Sequence, residues 1–470
     1  MSWKTTLVLL VAAGGLGAYL SLYEIRQPPP EERDRIAREL LDIREESVSR
    51  LTLTTTQAEV TLTREEGTWR LAPSSLRADP DLVSRCLMEL NPLLSERTLA
   101  GTPGKPLDLK AYGLHPSIAS LTVVADQTPT TLLLGEEVAV GGRRYLQVSG
   151  RPEVFVVSSA LFEAMHRPAE AFRDRLLVRF NSGLARRLTV RAPDTSWTVE
   201  GREGRWRLVE PLMDVADRAE ISRLLSALGR ITIRQVLEER PSVEQLPTYG
   251  FDHPKAEVTL TVREPEQTIT LFFGNPLAED GSLRYAKRDD EAALYAVAAL
   301  EVDALLASPQ GLRETRCFEV APGTVERLEV RHGTTTWTME RSPEGWRLVG
   351  QAGALEVGRA QPFVRRVAEL RVAGFVDEAP NELARYGLNP PEGSLTIWTG
   401  AERPPERLLI GSLLPEGRGR YGRIEGREAL VRLPAEITEL LDTTADSLSG
   451  PSAPQSTDGP EADVAPPSRG

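Results

Sequence analysis

Trp69-Arg70-Leu71-Ala72-Pro73 returns as Trp206-Arg207-Leu208-Val209-Glu210-Pro211, and again, without the closing proline, as Trp346-Arg347-Leu348-Val349. These tryptophans stand 137 and 140 residues apart. Three more markers follow each of them in the same order. The first is Tyr112-Gly113-Leu114, Tyr249-Gly250-Phe251 and Tyr386-Gly387-Leu388. The next is an apolar run closed by glycine: Leu132-Leu133-Leu134-Gly135, Leu271-Phe272-Phe273-Gly274 and Leu408-Leu409-Ile410-Gly411. The last is Arg144-Tyr145, Arg284-Tyr285 and Arg420-Tyr421. Four ordered markers at a domain-sized period predict three tandem copies of one unit rather than a short-period solenoid.

Outward from the Trp-Arg-Leu stretch, each copy reads alike. Leu51 and Leu53, Val60 and Leu62, and Trp69 and Leu71 alternate with polar residues, the period-two pattern of half-buried antiparallel strands. Gly67 marks a turn between two of them. Asp79-Pro80-Asp81 starts a helix, with Asp79 as N-cap and Pro80 in the first turn; its apolar face carries Leu82, Cys86, Leu90 and Leu93/Leu94. The matching helices are placed at Asp217 to Leu228, on Ile221, Leu224, Leu225 and Leu228, and near Gln361 to Leu370. Further strands are read at Ser120 to Val124, Thr131 to Leu134, Arg144 to Val148 and Val154 to Val157, then a closing helix from Ser159 to Met165. The expected fold class is α+β, three tandem repeats of antiparallel sheet plus helices, at 44–175, 176–316 and 317–446.

One transmembrane helix is expected ahead of the repeats. Thr5 to Tyr23 carries no charge, and nineteen residues rising about 1.5 Å each nearly match a hydrocarbon core of about 30 Å. Trp3, Tyr19 and Tyr23 sit near its ends as interfacial aromatics do. Residues 1–24 are read as an uncleaved anchor in preference to a signal peptide, because cleavage after Gly15 or Gly17 would fall inside the apolar run. A bare Lys/Arg count does not favour an inside N-terminus; the leading tail of only four residues, and Glu24, Glu31, Glu32 and Asp34 mixed in with the arginines that follow, lead to the expectation of a cytoplasmic N-terminus with the bulk outside. Ala13 with Gly17, and Gly14 with Ala18, are spaced i, i+4, which offers a close-packing face for a membrane partner, although small residues are common in any anchor. Residues 25–43 read as a proline-containing stalk, stiff at Pro28-Pro29-Pro30 and helical from Glu31 to Ile43 with Ile36, Leu40, Leu41 and Ile43 on one side. Residues 447–470, rich in Ser, Pro, Gly and Ala, read as a disordered tail.

Chemistry is sparse by comparison. A net charge of −12 argues against a nucleic-acid partner, which calls for a positive field. There is no GxxxxGK[ST] loop, HExxH, GxSxG or Rossmann GxGxxG. Gly417-Arg418-Gly419-Arg420 reads as a basic hairpin tip. His115 and His253 shape turns after the Tyr-Gly marker, and His166 and His332 stand alone, so no metal or acid–base role is assigned. Asp289-Asp290-Glu291 reads as a solvated turn. Cys86 and Cys317 occupy unrelated positions and read as buried free thiols. Trp69, Trp206 and Trp346, with Tyr112, Tyr249 and Tyr386, fit either binding platforms or core; alternation with Leu favours core.

Together, Val48 to Leu53, the Trp-Arg-Leu strand, Tyr112 to Pro116, the apolar run closed by Gly, and the Arg-Tyr strand resemble the bacterial domain-of-unknown-function 4340 family, once per copy over Arg44 to Asp446. The third copy departs from the pattern in lacking the proline. The motifs are structural and transfer no catalytic residue, cofactor or metal site. The resemblance implies a membrane-anchored extracytoplasmic protein linked with ABC-type export systems of the gliding-motility kind. The expectation is therefore a non-enzymatic accessory or scaffold in a bacterial inner membrane. It would be single-pass with its bulk in the periplasm, beside ABC permease and ATPase subunits. The alternative is an envelope module that binds cell-wall glycan or protein.

Overall fold

The computed structural model describes Trp3 and residues 30–449, apart from 57, 103, 140, 279–280, 351–354 and 401. The Thr5 to Tyr23 segment and the chain past residue 449 lie outside the described residues. Among the described residues, no helix is long and apolar enough to cross a membrane.

The described chain is mostly antiparallel sheet with short helices. In the first sheet the strands lie in the order Leu76–Arg77, Thr68–Ala72, Glu59–Glu65, Val48–Thr55, Ala119–Ala125, Thr128–Glu137, Arg143–Val148, Val154–Ser158 and Arg97–Leu99. A second sheet repeats that order from Asp214–Val215 at one edge, through Arg205–Glu210, Thr195–Arg202 and Ala185–Ala192, to Ile233–Glu238 at the other. A third, of eight strands, repeats it from Gly345–Leu348 to Gly374–Asp377. Residue contacts divide the chain into two compact units. One comprises Met1–Arg179, Arg230–Asp252 and Asn275–Ala299; the other comprises Phe180–Gly229, His253–Gly274 and Leu300–Gly470.

The alternating residues build the sheets as their spacing requires. Leu51, Leu53, Val60, Leu62, Trp69 and Leu71 are all buried in one core beneath the first sheet. The opposite face carries cross-strand threonine pairs, Thr52 with Thr61 and Thr122 with Thr131, matched in the second sheet by Thr189 with Thr198. Glu66-Gly67 and Glu203-Gly204 make two-residue hairpin turns with both φ angles positive, the conformation that suits the twist of the flanking strands.

The helix across the first core runs Pro80–Met88, and the Asp79 carboxylate accepts from the amides of Asp81 and Leu82. Asp217 caps Arg218–Leu228 in the same way, with Ile221, Leu224, Leu225 and Leu228 buried. Each such cap contributes about 0.5–2 kcal/mol. Leu82 and Cys86 are buried on this helix as expected, but the helix ends at Met88, so Leu90 and Leu93 are buried beyond it, Leu93 in a two-residue strand whose Leu94 is exposed. The third helix runs Val357–Ala368, starting four residues before the expected position. Pro362 lies in its second turn rather than its first, so its ring removes one backbone hydrogen bond and crowds the carbonyl four residues earlier.

The stalk requires a larger correction. The helix covers Pro30–Arg38 with Ile36 exposed; Glu39–Leu41 is a strand paired with Leu93–Leu94, and Leu40 and Ile43 are buried in the first core. At the other end, Ala445–Leu448 is a helical turn whose Leu448 joins the third core, so ordered structure continues past residue 447.

Candidate functional site

The repeated markers come together in space. Leu109–Tyr112 is a single 3-10 turn ended by Gly113 at φ 65°, and Tyr112 packs against Tyr145 at 4.8 Å between ring centroids. Tyr249 meets Tyr285 at 4.8 Å and Tyr386 meets Tyr421 at 5.0 Å. The glycines permit this approach. A Cβ on Gly113 would lie 2.9 Å from the Glu136 amide, and one on Gly387 would lie 2.7 Å from the Ser412 amide. A Cβ on Gly135 or Gly411 would run into the carbonyl of Tyr112 or Tyr386. Arg144 and Arg420 donate to the carbonyls of Gly135 and Gly411 at 3.0 and 2.9 Å. The Tyr-Gly, apolar-Gly and Arg-Tyr markers are thus one structural joint, with the tyrosines half-buried. Trp69 and Trp346 are buried, but Trp206 is half-buried; Trp197 is the fully buried tryptophan of the second sheet.

The densest buried charge lies where sequence reading placed a solvated turn. Glu291 is 8% exposed and Arg288 3%. Within the first unit, Arg77 on the edge strand donates through Nε to Glu291 Oε1 at 2.5 Å and through Nη2 to the carbonyls of Leu176 and Leu177 at 3.0 and 2.8 Å. The buried Tyr295 hydroxyl donates to Glu291 Oε2 at 2.5 Å. Burial, then the neighbouring Glu291 charge, push the Tyr295 phenol well above its ordinary range, so it stays a donor. Arg288 grips Asp290 through two nitrogens at 2.7 and 2.6 Å and reaches the Leu177 carbonyl at 2.8 Å. Burial alone would raise the Asp290 carboxyl, but Arg288 holds it below the usual carboxylate value. Arg179 bridges Asp174, Asp81 and the helix cap Asp79.

The second unit holds a counterpart. Asp214 on its edge strand accepts from Arg313 Nε at 2.7 Å and from Arg427 Nε and Nη2, both at 2.8 Å. Burial would raise Asp214, yet the hydrogen bonds and charge of Arg427, then those of Arg313, hold it below the usual range. The Arg313 guanidinium lies 3.3 Å from the Phe375 ring centroid and donates to Glu378 at 2.7 Å. Both oxygens of Glu291 and of Asp214 are engaged by fixed cations or a protonated phenol, which leaves neither poised as a base.

Ala13, Gly14, Gly17 and Ala18, the expected partner-binding face, lie outside the described residues. The histidines do not converge: His166 stacks on Phe162 and His332 pairs with Asp442. Among the described residues, no three His, Cys, Asp or Glu side chains are grouped to hold a metal ion. Cys86 and Cys317 are free and buried, and burial pushes their thiols up to about 11 and about 12. Arg420 of the expected basic tip is buried on Glu392, while Arg418 stays exposed.

No curated protein matches the chain. Among solved structures, a DNA polymerase III subunit beta sliding clamp from Bartonella birtlesii aligns at 6% identity, over 84% of this chain and 94% of that one. Its TM-score of 0.16 carries no inference about fold. The family model for a domain of unknown function, DUF4340, matches at residues 69–239, 206–379 and 358–451. Those three segments together run over most of the chain, and the protein belongs to the DUF4340 family.

Proposed function

We propose that the protein is a non-catalytic accessory or scaffold subunit of an ABC-type transport system. It would be held in the bacterial inner membrane by Thr5 to Tyr23, with three tandem DUF4340 copies on the periplasmic side. The observation that carries this reading is the use of the buried charge. The two densest clusters, around Glu291 and Asp214, tie edge strands to turns and lead-in segments, and their carboxylate oxygens are engaged. Charge held in this way suits a structural rather than a reacting part, and the apolar N-terminal run would supply a membrane foothold. The transport partner rests on the family resemblance.

The test is purification of the full-length tagged protein from native membranes in mild detergent, followed by identification of what accompanies it. An ABC permease and ATPase in near-stoichiometric amount are expected. Gly14→Ile with Ala18→Ile should weaken that association. Recovery of the protein alone would sink the transport reading.

A second reading, an envelope module that binds cell-wall glycan, is favoured by one observation: Trp206 is left half-exposed at a position where Trp69 and Trp346 are buried.

A further inference from the structure

Trp69, Trp206 and Trp346 hold matching places on matching strands, but their cross-strand partners differ. Trp69 pairs with Arg64 and Trp346 with Arg341, whereas Trp206 pairs with Gly201. The two arginines cover their tryptophans, with guanidinium carbons 5.9 and 5.4 Å from the ring centroids. Gly201 has no side chain to offer, and the ring of Trp206 has moved into the vacated space: a Cβ on Gly201 would lie 3.1 Å from three of its atoms. The second sheet does not need Trp206 in its core, since Trp197 is fully buried there and donates to the Ala307 carbonyl at 2.9 Å.

The uncovered indole lines a cleft of about 450 Å³ within the second unit, in the size range of small-molecule sites. Arg205, Arg218 and Arg316 line it together with Glu203, Glu314 and Glu319. Arg316 and Glu314 are paired at 2.7 Å, and the others are exposed at the rim. The lining is balanced in charge. Three carboxylates disfavour an anion and three guanidiniums disfavour a cation, while together they offer donors and acceptors beside an aromatic face, one pair held by its own ion pair and the rest at the exposed rim. A sugar ring matches that set, because its C–H face is apolar and each hydroxyl both donates and accepts.

We propose that the Trp206 cleft binds a neutral saccharide, one ring stacked on the indole and its hydroxyls bridging the arginines and glutamates. The inference rests on the glycan-binding reading and gives it a location. Gly201 is the specificity-determining position, because a side chain there would restore the cover seen at Trp69 and Trp346.

The experiment is calorimetric titration of the full-length protein, in a detergent without a sugar headgroup, with chitotetraose and with maltotetraose. Wild-type protein is expected to bind at least one of them at millimolar concentration. Trp206→Ala and Gly201→Arg should each weaken binding at least tenfold, with circular dichroism unchanged. Should Gly201→Arg fail to fold, Trp206→Ala alone decides. Binding that survives both substitutions would overturn the cleft and leave the glycan reading standing. No binding of either tetrasaccharide by wild-type protein would overturn both.

Discussion

Replacing Glu291 by alanine isolates the cluster in the first unit. The substitution removes the acceptor for Arg77 Nε and for the Tyr295 hydroxyl, both at 2.5 Å, and leaves Arg77, 10% exposed at its side chain, with Asp174 at 3.5 Å as its remaining counter-charge and Arg288, 4% exposed, with Asp290. Losing one partner of a buried ion pair costs about 3–5 kcal/mol. Arg77 keeps the Leu176 and Leu177 carbonyls, and Arg288 keeps Asp290, which places the expected loss at the low end, about 3 kcal/mol. The paired replacement Arg77→Met with Glu291→Leu should cost less than the sum of the single changes by more than about 1 kcal/mol, since no charge is then stranded. Two compact units make one global unfolding midpoint a poor reporter, so the assay is native-state hydrogen exchange. The Leu177 amide, bonded to the Ile231 carbonyl at 2.9 Å, should lose protection, while amides of the strand Gly393–Trp398 should not. A loss at Leu177 below about 0.5 kcal/mol, typical of an ordinary surface change, would refute the reasoning.

Three other outcomes are expected. Asp214 has a folded-state pKa below its unfolded value, so its contribution is present above the usual carboxylate pKa near 4 and is lost as pH falls through the lowered value; acid unfolding of the second unit should be steep below about pH 4 and flattened in Asp214→Asn, and identical acid profiles would contradict this. Cys86 and Cys317, with thiols raised to about 11 and about 12, should resist iodoacetamide at pH 8 in the native protein and both react in denaturant; mass spectrometry of the alkylated protein checks this. Gly135→Ala and Gly411→Ala should each destabilise by about 3 kcal/mol, because the new methyl meets a tyrosine carbonyl that is part of the backbone; unchanged hydrogen-exchange protection of Ala119–Ala125 and of Gly393–Trp398, respectively, would count against the marker joint.

The strands and the caps were legible in the sequence because each depends on near neighbours. Period-two alternation places Leu51, Leu53, Trp69 and Leu71 on one face, and a capping aspartate needs only the next two or three amides. The charge clusters were not, because Arg77, Asp174 and Glu291 meet only after chain segments of about a hundred residues each have folded, and Asp289-Asp290-Glu291 taken alone has the composition of any solvated turn. The burial of Leu40 and Ile43 did leave a trace. Arg38 to Ile43 aligns with Arg175 to Phe180 at the same 137-residue spacing as the Trp-Arg-Leu marker, with Leu40 over the equally buried Leu177. Three consecutive prolines and a run of charges nearby hid it behind a stalk. Trp206 was misplaced in the core because alternation assigns a face but does not say whether the cross-strand residue is large enough to hold the ring down; the glycine at 201 was the missing signal.

One feature of the two clusters bears on how the chain keeps its own order. On the first sheet the two-residue edge strand presents an arginine, Arg77, to a glutamate in the turn after Leu283–Arg288; on the second, the edge strand presents an aspartate, Asp214, to an arginine in the turn after Arg420–Ile424. Glu291 and Arg427 hold the same place in their hairpins, so the polarity is inverted from one joint to the next. Docking of the first edge on the last hairpin would set Arg77 against Arg427, and between two chains the Asp214 edge of one would meet the Glu291 hairpin of the other, like charges buried face to face. The inversion therefore works as an address: each edge accepts its own successor and rejects the other, and a gene rearrangement that skipped the middle segment would encode a joint that repels itself.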